Sequence, residues 1–224
     1  MALYNVCVDP GHGGYDPGAV GNGLQEKDIT LAIALQLVPL LIYNGIGTCL
    51  TRTGDYAPGH LEHDLNGELN ERVRISDAYG ANLFISIHIN AGGGTGEEEL
   101  ISSFGGNAEK CAKLILPHLL QVGGWANRGV KQQNVLVLEK TKAPAVLTEN
   151  GFIDSVSDTS KLKDSAFIKN LAIAHAQGIC EYFNLTYKAP TSPVVAPVAT
   201  QVNSIIDNKA QAVKLLEQAL NLLK

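Results

Sequence analysis

Hydrophobic and polar residues form two kinds of segment along the chain, and their order predicts alternating strands and helices. Short apolar runs between glycine or polar residues are typical of strands, and LFISIHI at 83–89 predicts a strand covered on both faces. Longer apolar or amphipathic segments that stop at a glycine are typical of helices. The predicted strands cover 3–8, 46–52, 83–89, 98–102, 135–138 and 145–149. The predicted helices cover 28–43, 68–79, 107–120 and 164–183.

This alternation favours an α/β fold with a central, mostly parallel β-sheet flanked by helices, assigned here to residues 1–187. The pattern then changes, because 188–201 carries three prolines in KAPTSPVVAPVATQ and predicts a semi-rigid linker. Segment 202–224 predicts a C-terminal helix whose apolar residues fall mainly on heptad a and d positions. This helix could pack back on the domain or drive self-association as a short coiled coil.

Composition and charge exclude several classes of protein. Of the 224 residues, 45% are hydrophobic and 17% charged, which excludes a disordered chain and indicates an extensive core. A net charge of −5 argues against nucleic acid as a partner. The loop GHGGYDPG matches neither GxxxxGK[ST] nor GxGxxG, so no nucleotide is expected. The longest apolar run, 31–43, is too short for a bilayer and contains Gln36 and Pro39, so stable membrane insertion is not expected.

The cysteines are widely spaced and none belongs to a CxxC pair. They are Cys7, Cys49, Cys111 and Cys180. This scatter predicts buried thiols, and it argues against a disulfide framework or a thiolate metal site.

Four side chains fall where α/β folds place their functional groups, just past the ends of strands or at the start of a helix. His12 follows the first predicted strand, His88 and Glu149 end later strands, and Glu26 precedes the first helix. Each also has an ordinary explanation. His88 could be a satisfied core histidine, and Glu26 could be an acid that favours the helix dipole.

Together, the four residues meet a specific chemical need. A hydrolytic zinc site takes three nitrogen or oxygen ligands and leaves a fourth position for water. A separate carboxylate then accepts the proton of that water. His12, Glu26 and His88 as ligands, with Glu149 as the base, would fill these roles. The set predicts a hydrolase that holds one Zn²⁺.

The remaining histidines and one acidic run are expected to lie outside the site. His60 and His63 form a His-x-x-His pair in a polar loop, for which a solvated loop is the expected structure. His118 and His175 fall within predicted helices and are expected to be structural or surface residues. The acidic run 97–99 is expected to be a solvated entry to a strand.

An ordered series of motifs extends over residues 3–187 and identifies a family. The motifs are VDPGHGGYDPGAVG, EKD, LTRTGD, LNERVRIS, LFISIHINA, NRGVKQQNVLVL and PAVLTENGF. In this order they resemble the zinc-dependent N-acetylmuramoyl-L-alanine amidases of peptidoglycan turnover and phage lysis. The resemblance implies an α/β fold, one zinc ion, and peptidoglycan as the partner.

The resemblance also implies roles for individual residues. The metal ligands of the family match His12, Glu26 and His88, and its catalytic glutamate matches Glu149. Four further positions also recur in the family and imply structural or substrate-orienting roles. They are Arg72, Asn90, Glu98 and Arg128.

The implied reaction is hydrolysis of the amide between N-acetylmuramic acid and the L-alanine of the stem peptide. Two alternatives stay open at this point. One is a zinc peptidase that cuts within the stem peptide, and the other is a non-catalytic protein that binds the cell wall. The helix at 202–224 could, on this reading, also serve to target the wall.

The N-terminal residues carry no basic region, and Asn5 and Asp9 interrupt their apolar stretch, so no signal peptide is predicted. Peptidoglycan lies outside the cytoplasm. We therefore expect an endolysin-like protein that is made in the cytoplasm and reaches the wall after release. The alternative is a secreted protein whose signal peptide has been removed.

Overall fold

A computed structural model of the chain describes residues 2–60 and 63–191. Its strands are β1 (Asn5–Pro10), β2 (Val20–Gly21), β3 (Leu24–Gln25), β4 (Gly47–Leu50), β5 (Leu83–Asn90), β6 (Glu97–Ile101), β7 (Asn127–Gln132) and β8 (Ala145–Phe152). Its helices are α1 (Glu26–Tyr43), α2 (Leu65–Tyr79), α3 (Asn107–Gly123), α4 (Leu136–Lys140), α5 (Val156–Leu162) and α6 (Ser165–Tyr182).

Six of the strands form one central sheet in the order β4-β1-β5-β8-β6-β7. All neighbours in this sheet are parallel except β6 and β8, which run antiparallel. The α/β fold with a mostly parallel sheet is therefore confirmed. Strands β1, β5 and β8 are neighbours, so their carboxyl ends meet at one edge of the sheet, where α/β folds bind ligands.

Helices cover both faces of the sheet. Helices α2 and α4 pack on the face that carries Cys7, Phe84 and Leu147. Helices α1, α3 and α6 pack together, and α6 lies on the opposite face, where His175 contacts Thr148 of β8. This double cover explains why β5 is an almost continuous apolar run.

Local signals explain where α2 begins and ends. The Asp64 carboxylate accepts the backbone N–H of Gly67 and so caps the first turn. Gly80 ends the helix with a φ of 71°, which is left-handed backbone that favours glycine.

Several local predictions were wrong. The apolar run 135–138 forms the start of helix α4 and not a strand, because four residues are too few to distinguish the two periods. Strand β8 continues beyond Glu149 to Phe152. Strand β7 was missed because it is a polar edge strand with no apolar alternation. The short elements β2, β3 and α5 were also missed.

The predicted helix at 202–224, and with it self-association, lies outside the described residues, as does most of the predicted linker at 188–201. Within the described ranges, none of the helices is both long enough and apolar enough to cross a bilayer. All four cysteines are free thiols, three of them buried and Cys49 partly buried, in agreement with the prediction of buried thiols.

Candidate metal centre and active site

Three side chains converge at the carboxyl end of β1 and β5. His12 lies in the loop after β1, Glu26 is the first residue of α1, and His88 lies near the end of β5. One ligand atom from each residue lies within 4.8 Å of the other two. The structure therefore brings together the three residues that the sequence analysis selected as ligands, although they are 14 and 62 positions apart along the chain.

Glu26 holds the centre of this group. Its Oε2 lies 3.1 Å from His12 Nε2, and its Oε1 lies 2.9 Å from His88 Nδ1. The backbone N–H groups of Ala19 and Ile89 donate to the same carboxylate over 2.8 and 3.0 Å. Only 4% of Glu26 is exposed, so the carboxylate is both buried and fixed in orientation.

His12 is oriented by a second carboxylate that the sequence analysis missed. Its Nδ1 lies 2.7 Å from Asp16 Oδ2, which leaves Nε2 directed at Glu26. A carboxylate on the far nitrogen of a histidine is the usual way to fix a metal-binding imidazole. The signal available in the sequence was an acid four positions after His12 in the same Gly-rich loop.

The charges of the group favour a bound cation. Burial opposes protonation of His12, but its bonds to Glu26 and Asp16 prevail and raise its pKa to about 9. Burial also opposes ionisation of Glu26, yet the two histidines hold its pKa well below the usual range. The three residues thus retain a proton between them, and a metal ion would replace it. Two imidazole nitrogens and one carboxylate are a donor set that zinc uses in hydrolases, so the residues fit this metal.

The backbone approaches the group closely at two glycines. A Cβ atom on Gly11 would lie 2.4 Å from His88 Cε1. A Cβ atom on Gly18 would lie 2.6 Å from Glu26 Oε2, and its φ of +65° is also unfavourable for other residues. His12 itself has a φ of 60°, a strained backbone conformation that clusters at functional sites.

Arg72 of α2 supports the loop that carries His12. Its guanidinium donates to Asp9 Oδ1 over 2.6 Å, to the carbonyl of Pro10 over 2.8 Å and to the carbonyl of His12 over 2.8 Å. It also pairs with Glu68 one turn earlier in α2. Only 2% of Arg72 is exposed. The structure therefore assigns Arg72, for which a structural or substrate-orienting role was expected, to support of the loop.

Arg52 also supports this loop. The sequence analysis did not select it. It donates to the carbonyl oxygens of Pro10 and Gly11 over 3.0 and 2.9 Å. Its only signal was its place in the LTRTGD motif directly after β4. The two arginines hold the loop that presents His12.

Glu149 lies beside the group, in a row of side chains that crosses three strands. In the register of the sheet, His88 of β5 pairs with Glu149 of β8, and Glu149 pairs with Glu98 of β6. Paired residues on neighbouring strands point to the same face. Burial, followed by the negative charges of Glu26 and Glu98, raises the pKa of Glu149. Its Oε2 is buried and has no hydrogen-bond partner among the described residues.

Glu98 connects three other predicted residues. Asn90 donates to Glu98 Oε1 over 3.0 Å, and Arg128 and Lys131 donate to Oε2 over 2.5 and 2.6 Å. The guanidinium of Arg128 also lies 4.7 Å from the ring centre of Phe152. Asn90, Glu98 and Arg128 thus form one network with Lys131, which the sequence analysis did not select.

An open groove of about 860 Å³ begins at this network. Its lining includes Arg128, Lys131, Thr95, Asp154 and Ser155. The row of His88, Glu149 and Glu98 across the sheet connects this groove to the ligand group. The ligand group has a smaller pocket of its own, of about 90 Å³, whose lining includes His12, Asp16 and His88. The arrangement offers polar and cationic contacts to a substrate beside the candidate metal centre.

The acidic run 97–99 is not solvated, and this prediction was wrong. Glu97 and Glu99 have no exposed surface and point to the face opposite Glu98. Their carboxylate oxygens have no hydrogen-bond partner among the described residues. Burial first, and then neighbouring carboxylates, raises the pKa of both. Exposure was predicted because exposed acidic side chains are far commoner than buried ones.

The other histidines lie outside the ligand group, as expected. His63 lies against Tyr15 with ring centres 4.8 Å apart and the rings tilted by 43°, and His60 lies in a turn and stacks on Tyr56. His118 pairs with Glu181 at the surface. His175 is buried within the core and has a structural role.

Comparison with known proteins shows the family to which the chain belongs. A sequence profile of the N-acetylmuramoyl-L-alanine amidases matches residues 6–181. The sporulation-specific N-acetylmuramoyl-L-alanine amidase of Bacillus subtilis (strain 168) is 45% identical over 186 residues, which cover 82% of this chain and 69% of that protein. An endolysin of Bacillus phage SPP1 is 38% identical over 192 residues, which cover 82% of this chain and 68% of that protein.

A solved structure extends the comparison to three dimensions. The catalytic domain of CwlV, an N-acetylmuramoyl-L-alanine amidase from Bacillus (Paenibacillus) polymyxa var. colistinus, matches with a TM-score of 0.74 and 31% identity. The match covers 82% of this chain and all of that domain. Because the family profile covers more than half of the chain and the relatives match along most of their own length, the chain belongs to the N-acetylmuramoyl-L-alanine amidase family.

Proposed function

We propose that this protein is a zinc-dependent hydrolase of the amide that joins N-acetylmuramic acid to the L-alanine of the peptidoglycan stem peptide. The observation that carries the proposal is the placement of Glu149 directly beside the His12, Glu26 and His88 group in a member of the amidase family. His12, Glu26 and His88 would hold the zinc ion. When bound, zinc would supply Lewis acidity to the scissile carbonyl and lower the pKa of the attacking water.

Glu149 moves the proton in this proposal. Its carboxylate is held on the sheet next to His88 and has one buried oxygen without a partner among the described residues. The raised pKa of Glu149 suits a group that accepts a proton from water and then donates it to the leaving amine. Positive charge at the neighbouring centre would lower this pKa and so favour the ionised form before the reaction.

The substrate would lie along the groove beside the ligands. Arg128 and Lys131 share the charge of Glu98, so these three side chains together carry one excess positive charge, and Asp154 adds a negative charge elsewhere on the lining of the groove. Asn90 donates to the other oxygen of Glu98 and so links the network to β5. These residues would orient the stem peptide, which carries carboxylates, so that its first amide faces Glu149.

Digestion of purified cell walls tests this function and separates it from a peptidase. Mass spectrometry of the soluble products should show whole stem peptides with a free L-alanine amine, and the glycan strands should stay intact. A chelator should stop the release, and added zinc should restore it. Peptides cut at an internal bond would support a zinc peptidase instead. Wall binding without any release in zinc-containing buffer would support a non-catalytic protein.

We propose further that the protein acts as an endolysin, made in the cytoplasm and delivered to the wall through a separate membrane pore. Similarity to the endolysin of Bacillus phage SPP1 supports this setting. Expression in the cytoplasm of a Bacillus host should cause lysis only when a pore-forming protein is expressed with it. Lysis by the enzyme alone, or its appearance in the medium of intact cells, would contradict this route and favour secretion.

A further inference from the structure

Two of the four thiols lie side by side on neighbouring strands. Cys7 of β1 and Cys49 of β4 are direct partners in the parallel register of the sheet. Both side chains belong to the same apolar cluster on the face covered by α2. Burial, followed by contact with Cys49, raises the pKa of Cys7, which agrees with this proximity.

The separation of the two backbones suits a covalent link. Adjacent strands lie about 4.8 Å apart, and disulfides join Cα atoms that are about 4.4–6.8 Å apart. The Cβ atoms of direct parallel partners lie about as far apart as the strands, which is slightly more than a relaxed disulfide prefers. Strand β4 is at the edge of the sheet and, among the described residues, pairs with β1 alone, so closing this small gap would break no pairing with a second strand.

The two thiols differ in access, which sets the order of reaction. Cys7 has no exposed surface, whereas Cys49 is partly exposed. Cys111 and Cys180 have no exposed surface either, and they lie on α3 and α6. An oxidant in solution would therefore reach Cys49 first.

We propose that Cys7 and Cys49 form a reversible cross-strand disulfide when the protein meets a small-molecule disulfide such as oxidised glutathione. The inference rests on the proposed function only in that a wall hydrolase works outside the reducing cytoplasm. The thiolate of Cys49 attacks the oxidant, forms a mixed disulfide and releases one glutathione thiolate. The thiolate of Cys7 then attacks the sulfur of Cys49, forms the protein disulfide and releases the second thiolate. The two cysteines lose two electrons, the oxidant gains them, and the two thiol protons pass to the released glutathiones.

The bond would lock the edge of the sheet. Strand β1 leads into the loop of His12, and β4 leads to Arg52, which holds the carbonyls of that loop. Local opening of β4 requires it to leave β1, and a covalent link between them prevents this. The amides of Gly47–Leu50 should therefore exchange with solvent more slowly in the oxidised protein.

Mass spectrometry of the full, folded chain tests the proposal. Reduced protein is incubated with oxidised glutathione, free thiols are alkylated without denaturant, and the intact mass and proteolytic peptides are measured. We expect the loss of two hydrogen masses and a peptide containing Cys7 linked to one containing Cys49. Dithiothreitol should reverse both changes. Cys111 and Cys180 should accept the alkylating reagent only after unfolding.

Matched serine variants complete the test. Cys49→Ser and Cys7→Ser should each abolish the linked peptide, and Cys111→Ser and Cys180→Ser should retain it. Cys49→Ser is the decisive variant if Cys7→Ser fails to fold, because position 49 is partly exposed. Glutathione attached to Cys49 without a link to Cys7, or a link that forms only in denaturant, would overturn the proposal. Wall digestion by the reduced protein is measured in parallel, so loss of the proposed function is recognised separately.

Discussion

Glu149 and His88 are direct partners across the neighbouring parallel strands β8 and β5. The carboxylate that would move the proton is therefore fixed to the same sheet as one of the candidate metal ligands. Sheet hydrogen bonds, and not a flexible loop, set the distance between them. A site on rigid elements keeps its reacting groups in register, which is a large part of what catalysis requires.

Removal of the proton carrier should separate catalysis from metal binding. Glu149→Gln keeps the size of the side chain and removes its ability to accept a proton. We expect release of stem peptides to fall by about 10²–10⁴-fold, the usual contribution of general acid–base catalysis, with zinc content unchanged. Product assay and metal analysis of the purified variant measure the two effects. Glu139→Gln, at an exposed position on α4, is the control and should retain full activity.

Loss of the bond between Asp16 and His12 should weaken metal binding without removing a ligand. Asp16→Asn retains the shape of the side chain, but it no longer stabilises a positive imidazole or fixes its orientation by charge. We expect zinc affinity to fall by about 10–100-fold. Competition with a chromophoric chelator measures this affinity. Asp28→Asn changes an exposed acid on α1 by the same chemistry and should leave the affinity unchanged, and equal affinities for all three proteins would contradict the role of Asp16.

The two arginine pairs on α2 should contribute very differently to stability. Arg72→Leu leaves the buried carboxylates of Asp9 and Glu68 without their cation, and we expect a loss of about 3–5 kcal/mol in the free energy of unfolding. Arg74→Leu breaks an exposed pair with Glu71 and should cost less than about 1 kcal/mol. Urea unfolding of both variants measures the difference. Similar costs would show that Arg72 is not needed to compensate the buried charges.

The buried acids of β6 should make the protein less stable as the pH rises. The pKa of Glu97 and Glu99 is raised in the folded state, so folding favours their protonated forms. Their stabilising effect is complete below the unfolded pKa and is lost as the pH rises through the folded pKa, at about 1.4 kcal/mol per pH unit for each group. Glu97→Gln and Glu99→Gln should therefore raise the unfolding temperature at pH 8 more than at pH 5. Thermal unfolding at the two pH values tests this, with Glu98→Gln as a partnered acid on the opposite face.

His175 should make the fold sensitive to acid. Its Nδ1 donates to the carbonyl of Leu171 and its Nε2 accepts from Thr148, so both nitrogens are engaged by the neutral ring. Burial lowers its pKa from 6.5 to about 4. The unfolded chain then binds the proton more tightly, and stability should fall by up to about 3 kcal/mol as the pH drops from about 6.5 to about 4. Urea unfolding across this range measures the fall, and His175→Gln should flatten it.

The sequence predicted the features that follow from the local pattern of apolar residues or from the kinds of side chain that a metal site requires. The double-sided burial of β5 follows from its apolar run, and the convergence of His12, Glu26 and His88 follows from where α/β sheets place strand ends. This convergence depends on β1 and β5 being parallel neighbours in the sheet. The alternation of strands and helices along the chain predicted a parallel sheet.

The features that escaped prediction depend on contacts between distant parts of the chain. Nothing in the local sequence distinguishes Arg52 from a surface arginine. Its role follows from β4, which places it against the carbonyl oxygens of the loop that carries His12. Glu97 and Glu99 belong to an acidic run that local polarity assigns to the surface, but β6 lies between β8 and β7 and α3 packs on it, which buries them. Helix α4 was predicted as a strand because its apolar run is shorter than two helical turns.

The two arginines hold the loop of His12 through carbonyl oxygens of the backbone and make no bond to the imidazole. These backbone contacts do not depend on the side chain of residue 12, whereas the bond to Asp16 does. A cysteine placed there would keep the contacts of the two arginines and would lose the bond that the imidazole makes to Asp16. The backbone support of the loop is thus separate from the ligand that the loop carries, so other ligand side chains can be tested at position 12 without removing that support.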